Sequence, residues 1–495
     1  MNFQELPEDV LRIVFGLLDV YCVLCLSATS KSLRVLATDR LVWVDLLLNL
    51  HWHGFVDDES VLSISRKSQA ELLDLVQTMV LGPRHWRRQA ILQPSAPDIV
   101  SNIARPAGDS PSPNFEPLRE HVLHPQNINL ARSNEARLLP GGEYVLLDTE
   151  RALECWSVQD GRIVWSHHED NGFVGGFAFD MLPGGRQVNI AVFIYQLEHG
   201  WASSRLDILE LDLLQETSEM RYTSPYSAVE NDVHWTHSDI KGSFAVCNLF
   251  STIRGSTELH ALHDWKTAPG KCLSVASPEG SQLALTTRYL IIATFDPRPS
   301  IRETQFRIVS LVDLQSVGPW YGFFNDASSI NVAELPTLSN FVFPLSVATI
   351  LDLPPMHHLS VYRSPLDENV YRIWLHWAGF RRLEVEQGQN RVTFGNALYG
   401  YHLLANPDNA CDVSLHKRVE SRTGSKGNTT YSGHGIRRQR LRDHLESDSY
   451  ALYAPGEPDP VASLRATGAA LFPSLSVYSG AVTYAERVVR VAYFD

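Results

Sequence analysis

Between Leu6 and Leu50 apolar residues recur at helical spacing, and in the first helix they do so on two faces. Leu6, Val10, Val14 and Leu17 form one row, and Leu11, Phe15 and Leu18 form a second, offset row. Pro7 predicts a first helical position, with Glu8 and Asp9 in the first turn, where the helix dipole favours negative charge. A lone surface helix needs one apolar row. Two rows predict a helix covered from both sides, and so short a stretch covers only one side itself. A second helix over 22–28 follows Asp19, and Ser30 caps a third through Leu33 and Leu36. Asp39 caps a fourth, carrying Leu41, Trp43, Leu46 and Leu47. A bundle this thin has little interior, so apolar residues are left over for a partner.

The helical period returns over 60–81, with Leu62, Leu72, Leu73, Val76 and Val80 as its apolar positions, and stops at Gly82-Pro83. His85-Trp86-Arg87-Arg88 opens a last short helical turn. From 93 to 117 the prolines 94, 97, 106, 111, 113 and 117 exclude helix and sheet interior, which predicts a linker or strap.

Beyond it the period becomes two. The clearest unit, 137–168, has a Pro140-Gly141-Gly142 turn, apolar runs over 144–147, 153–158 and 163–165, and Asp160-Gly161 between the last two. Strands joined by tight turns, with aromatics closing them, are the makeup of one propeller blade. Looser groups follow over 177–214 (repeating Pro-Gly-Gly at 183–185), 234–265, 281–314, 341–377, 381–417 and 450–495. The predicted fold is multidomain, α plus all-β: a helical bundle with a helical extension, then a β-propeller of about seven blades. A pair of β-sandwiches is the alternative. A closing strand is expected at the C-terminus, within 488–495.

The helical stretch resembles an F-box, carried by Leu6-Pro7-x-Asp9-Val10-Leu11-x-Ile13-Val14-Phe15, then Leu18-Asp19, Leu24, Ser30-Lys31, Leu36, Asp39 and Trp43. One departure is that Thr29-Ser30-Lys31 leads into Ser32-Leu33, where the family usually has Val-Ser before the basic residue and Trp after it. The 60–88 stretch is similar to the extension that follows the F-box in many fungal F-box proteins, and 137–168 resembles a WD-repeat blade. The alternative for the N-terminus is an ordinary helical hairpin. The resemblance implies an F-box at 1–50, a helical extension at 51–92, a linker at 93–117 and a WD-repeat-like substrate-binding propeller at 118–495. It further implies a substrate receptor of a cullin-RING ubiquitin ligase, docking on a Skp-type adaptor that joins it to the cullin. By position, the adaptor-binding residues would be Leu6, Pro7, Val10, Leu11, Ile13, Phe15, Leu24 and Trp43. The competing class is a propeller scaffold or reader outside any ligase, and a weaker one is an enzyme with its site in the propeller channel.

Charge and candidate chemistry narrow this picture. A net charge of −14 argues against generic nucleic-acid binding. Six scattered cysteines, at 22, 25, 155, 247, 272 and 411, predict reduced thiols. The acidic N-terminus is unlike a leader peptide, and the apolar run 13–26 is broken by Asp19 and short of the roughly 20 residues of a membrane span. A cytoplasmic or nuclear protein is expected, with no membrane partner. Cys22-x-x-Cys25 reads as core packing, and His51-Trp52-His53 with Asp57-Asp58 as a polar turn rather than a metal site. Gly108-Asp109-Ser110 lies in the Pro-rich strap, away from any strand that would sharpen it into a nucleophile. No phosphate loop or dinucleotide fingerprint is present, so neither catalysis nor a cofactor is expected. One basic segment, 417–442, reads as a Gly-rich loop, in which Arg437, Arg438, Arg440 and Arg442 are candidates for an acidic or phosphorylated substrate segment; a plain surface loop or an import signal is the alternative.

Overall fold

The computed structural model describes residues 6–57, 61–86, 117–126, 135–149, 151–198, 201–224, 227–228, 233–251, 257–268, 271–278, 281–295, 303–317, 320, 330–344, 356–385, 389–406, 409, 412–421, 429–440, 448–455, 462–465, 473–485 and 488–494. The strap at 87–116 therefore lies outside the described residues.

Six helices open the chain: α1 (Glu8–Leu17), α2 (Val20–Thr29), α3 (Lys31–Ala37), α4 (Arg40–Trp52), α5 (Val61–Arg66) and α6 (Gln69–Leu81). The expected caps form. Asp19 accepts from Cys22 N at 2.6 Å, Ser30 from Leu33 N at 3.2 Å and Asp39 from Leu41 N at 2.9 Å. Pro7 stands just outside α1, with ψ 145, rather than in its first position. The helix expected over 60–81 is two helices. Ser68 and Glu71 close a capping box there, Glu71 Oε2 accepting from Ser68 N at 2.7 Å, and this starts the second helix. Gly82, at φ 82, ends α6 in a conformation that only glycine adopts without strain.

Seven sheets follow among the described residues. Blade 1 is built from Ala136–Leu138, Tyr144–Asp148, Ala152–Ser157 and Ile163–His168. Blade 2 centres on Gly172–Met181, Gln187–Glu198 and Trp201–Asp212, and blade 3 on Val233–Lys241, Phe244–Ser251, Thr257–Asp264 and Cys272–Pro278. Blade 4 comprises Gln282–Leu285, Tyr289–Phe295, Glu303–Ser310 and Thr337–Pro344; blade 5 comprises Met356–Arg363, Val370–Val385, Gln389–Ala405 and Val413–Ser421. Blade 6 holds Gly435–Arg440, Asp448–Tyr453 and Ala462–Arg465. Blade 7 takes Ser474–Leu475, Ala481–Ala485 and Val489–Tyr493 from the C-terminus and Arg119–Leu123 from the start of the domain.

The apolar cores show that these sheets form a ring. Separate clusters lie between blades 1 and 2, 2 and 3, 3 and 4, 4 and 5, 6 and 7, and 7 and 1. Blades 5 and 6 meet through Trp374, whose indole donates to the Tyr431 carbonyl at 3.3 Å and whose ring leaves no room for a Cβ at Gly433. Each face of a sheet is thus buried against a neighbour, which is why strands such as Gln187–Glu198 read as nearly continuous apolar runs. The architecture is a seven-bladed β-propeller behind a helical module.

Three of the predicted strand groups break in the wrong place. The groups at 341–377 and 381–417 do not exist as such: Phe341 belongs to blade 4, and the strand Val370–Val385 runs straight through Ala378-Gly379. Gly379 faces Gly395 across that hairpin, a pair of glycines inside a ladder rather than at a turn. The group at 450–495 is divided between blades 6 and 7.

Ring closure rests on one antiparallel pairing, Arg119–Leu123 against Val489–Tyr493, extended by Leu118 N to the Tyr493 carbonyl at 2.9 Å. Val489, Val491 and Tyr493 also fill the core between blades 7 and 1. Deleting 488–495 is expected to cost at least about 5 kcal/mol, since each large core side chain lost costs about 2–5 kcal/mol. A truncated chain whose β-domain melts at the temperature of the intact protein refutes this closure.

Candidate docking surface

The two apolar rows of α1 separate only in part: Leu6, Val14 and Leu18 are half-buried, and Ile13, which belongs to neither row, is exposed. Leu11 and Phe15 are buried in the helical core with Val23, Leu33, Trp43 and Leu47. Val10, Ile13 and Leu17, spaced i, i+3, i+7, stay 37%, 64% and 79% exposed. Tyr21 and Leu24 on α2, Val35 on α3 and Leu41 on α4 are also exposed. Exposed apolar side chains at this density on one small bundle are what a protein-protein contact leaves when its partner is absent.

The eight residues singled out in the sequence therefore divide. Pro7, Val10, Ile13 and Leu24 are presented to solvent and Leu6 is half-buried. Leu11, Phe15 and Trp43 are inside, and Trp43 Nε1 donates to the Ala37 carbonyl at 2.8 Å, so these three lock the bundle and offer nothing to grip. Leu17, Tyr21, Val35 and Leu41 are exposed too but are not among those eight; for Leu17, its place in one apolar row with Val10 was the available signal. Arg12 holds α1 to the cap of α4, with Nε 2.7 Å from Asp39, fixing the exposed row in place.

This surface is mounted directly on one face of the propeller. Several of the mounting contacts, those of Gly141, Gly184, Ser476 and Tyr478, fall on turns that follow the first strand of a blade. Asp57, after α4, accepts from Gly141 N at 2.8 Å and from the Ser476 hydroxyl, which ties it to blades 1 and 7 together. Burial pushes its carboxyl above the ordinary carboxylate range, while the bonds from Ser476, Ser479 and Gly141 pull the other way. Gly184 N donates to the Trp52 carbonyl at 2.7 Å, and Phe55 meets Tyr478 edge-on at 4.7 Å. Arg372 of blade 5 reaches the Val80 carbonyl at 3.3 Å and lies over the Tyr431 ring at 4.0 Å. Trp86 is buried against Phe494 and His434. The residues flanking the strap rest side by side, Trp86 on Phe494 and Leu118 on Tyr493. Direct contacts orient the helices on the ring.

Under this mount lies a cavity of about 450 Å³, roofed by His53, Phe55 and Asp57 and walled by the first strands of the blades. Its polar groups are engaged with one another. Lys241 Nζ lies 2.9 Å from Asp180, whose other oxygen takes Gly242 N at 2.9 Å, and Asp239 accepts Leu285 N at 2.8 Å. Burial alone would lower Lys241; the Asp180 and Asp239 carboxylates outweigh it and hold the ammonium above its ordinary range. Burial, helped by Arg137, pushes His358 down to about 4, so it is neutral near pH 7.

Other sequence candidates fare as follows. Arg437, Arg438 and Arg440 lie on a strand of blade 6 paired to Ala451, Tyr450 and Asp448, not in a loop. Lys417 is on a strand of blade 5 with its ammonium over the Tyr399 ring, and Arg442 lies outside the described residues. The basic stretch is thus split between two blades. Cys25 is exposed rather than core, and Cys22 is half-buried, its thiol raised to about 11 by burial and then by Asp19. Among the described residues no group of His, Cys, Asp or Glu is placed to hold a metal. Gly108-Asp109-Ser110 lies outside them. No helix among the described residues is long and apolar enough to cross a membrane.

Comparison with known proteins bears on the helical module. A family described as F-box-like matches residues 3–49. None of the curated proteins matches the sequence. Solved structures similar to the chain include the WD40 domain of SCAP from fission yeast, at 11% identity over 73% of this chain and 82% of that one, with a TM-score of 0.36. A chain of the mitotic checkpoint complex gives 12% identity over 81% and 99%, with a TM-score of 0.32. The β-propeller domain of the Trilobed protease from Pyrococcus furiosus gives 8% over 64% and 79%, with a TM-score of 0.30. Likeness at this level carries no functional weight; the propeller rests on the seven sheets and their closure.

Asp57→Ala leaves the Gly141 amide and the Ser476 hydroxyl unpaired at the junction. It is expected to cost about 1–3 kcal/mol and to lower the melting of the helices and the propeller together. Helices that melt separately from an unaffected propeller contradict the mount.

Proposed function

We propose that this chain is the substrate-recognition subunit of an SCF-type ubiquitin ligase. Its F-box-like helices take a Skp-type adaptor, the adaptor joins the cullin, and the propeller holds a protein substrate. The observation that carries this reading is the exposed set Val10, Ile13 and Leu17 on α1, a helix whose Leu11 and Phe15 are buried in the bundle. Adaptor interfaces of ordinary size bury on the order of 1,600 Å² and concentrate their energy in a few apolar anchors. Ile13, Leu17 and Leu24, with Leu6 and Pro7 at the entry to α1, are the anchors available.

Catalysis in this scheme is proximity. A partner enzyme carries the activated ubiquitin, and this chain raises the local concentration of a substrate lysine beside it. A receptor of this kind needs no nucleophile of its own. It does need fixed geometry, which the mount supplies. Because the helices cover one mouth of the propeller channel, the substrate is received on surfaces away from them. Action in the cytoplasm or nucleus goes with this role.

The test is capture of the adaptor by the full-length chain. Ile13→Asp with Leu17→Asp, and separately Leu6→Ala with Pro7→Ala, are each expected to weaken adaptor binding by about 30-fold or more, with the propeller's melting temperature unchanged. Adaptor binding equal to the unmodified chain in both variants refutes the assignment.

A further inference from the structure

The exposed row has a far end, and that end is not helical. α1 finishes at Leu17 and α2 begins at Val20, so Leu17 and Tyr21 flank one corner of the bundle. At that corner the Tyr21 amide, one of the first-turn N–H groups that a helix cannot satisfy internally, donates to the Leu366 carbonyl of blade 5 at 3.0 Å. Leu366 itself packs against the helical core. The phenol of Tyr21 is held above its ordinary range by Cys25 first and also by the nearby Asp367 carboxylate. The bare row thus runs from α1 across the corner and meets a turn of the propeller.

That turn is stiff and largely acidic. Asp367 takes Asn369 N on its side chain at 2.8 Å and Val370 N on its carbonyl at 3.2 Å. Leu366 N donates to Ser364 Oγ at 3.1 Å, and Arg288 reaches Asn369 Oδ1 at 3.0 Å. A turn held this way has little conformational freedom left to lose on binding. The charged groups around the corner are Asp19, Asp367, Glu368, Arg288 and Arg363. Asp19 caps α2, and Arg363 lies 3.1 Å from Glu368 without covering it, since the Glu368 side chain stays 57% exposed.

We infer that the docking surface continues from the helical row onto the blade-5 turn 364–369, and that the adaptor seated on the row brings a basic side chain to the Asp367–Glu368 edge. This rests on the proposed function, because the occupant is the same adaptor. Continuity argues for it: a partner long enough to cover Ile13, Leu17 and Leu24 reaches Tyr21 and the turn beneath it. The exposed Glu368 carboxylate argues for the chemistry, since a cation is what it would accept. The contact sits at a rim, so it acts on association and is sensitive to salt rather than being a main source of affinity.

The experiment compares Glu368→Lys with a remote control, Glu219→Lys, which alters a similarly exposed glutamate on blade 2. Binding of the purified adaptor to the full-length chain is measured at about 50 mM and about 500 mM salt. Glu368→Lys is expected to weaken binding about 3- to 10-fold at low salt, with most of the loss gone at high salt, where charges are screened beyond about 4 Å. Glu219→Lys should change nothing, and both variants should melt like the unmodified chain. An unchanged or tighter Kd for Glu368→Lys overturns the inference while leaving the proposed function standing. So does self-association of the chain that Glu368→Lys abolishes while adaptor binding is untouched. An unmodified chain that fails to bind the adaptor sinks both.

Discussion

A half-buried carboxylate at the junction ties together the two halves of this molecule. Asp57 lies between the helical module and the ring, accepting from Gly141 of blade 1 and Ser476 of blade 7. Those are the blades on either side of the seam where the ring closes. A buried carboxylate is costly unless its oxygens are taken up by donors, and here donors from both sides of the seam supply them. The module therefore crosses the closure as well as resting on it. Tyr493, whose hydroxyl donates to the Gly142 carbonyl at 2.9 Å, spans the same junction from within.

Two properties follow from that mount. The first is fixed geometry. Contacts with blades 1, 2, 5, 6 and 7 leave the helices little freedom to swivel, so anything held by the ring stays at a set angle to anything held by the helices. The second is that the bundle spends its inward face on the propeller and its own core. Val10, Ile13 and Leu17 are what remains. A receptor that works by bringing two bodies near each other needs both properties. A flexible tether would dilute the effective concentration, and a fully sealed bundle would have nothing to offer.

Much of this was legible in the chain. The 3.6-residue period gave four short helices, and Asp19, Ser30 and Asp39 announced their starts through their side chains. Pro-Gly-Gly turns and Asp160-Gly161 marked the first two blades. What could not be read were choices between chemically equal options. Leu11 and Ile13 are both aliphatic residues on one helix, and only packing shows which is covered. Trp43 looked like an anchor because it is large, yet its indole N–H found the Ala37 carbonyl inside the bundle. Gly379 fell between two expected strand groups because glycine marks turns far more often than the middle of a long ladder. Asp57 carried no signal, because its partners lie 84 and 419 residues away in sequence. The Ser68-x-x-Glu71 box was readable and was passed over.

The most direct test of the rigid mount is a distance measurement by pulsed electron resonance. Spin labels would be placed at the exposed Val35 on α3 and the exposed Leu214 beside blade 2, with Cys22 and Cys25 changed to serine. A rigid mount gives one narrow distance distribution, and Asp57→Ala broadens it. A broad or multiple distribution in the parent chain would mean that the helices swing freely from the ring, and the account would fail.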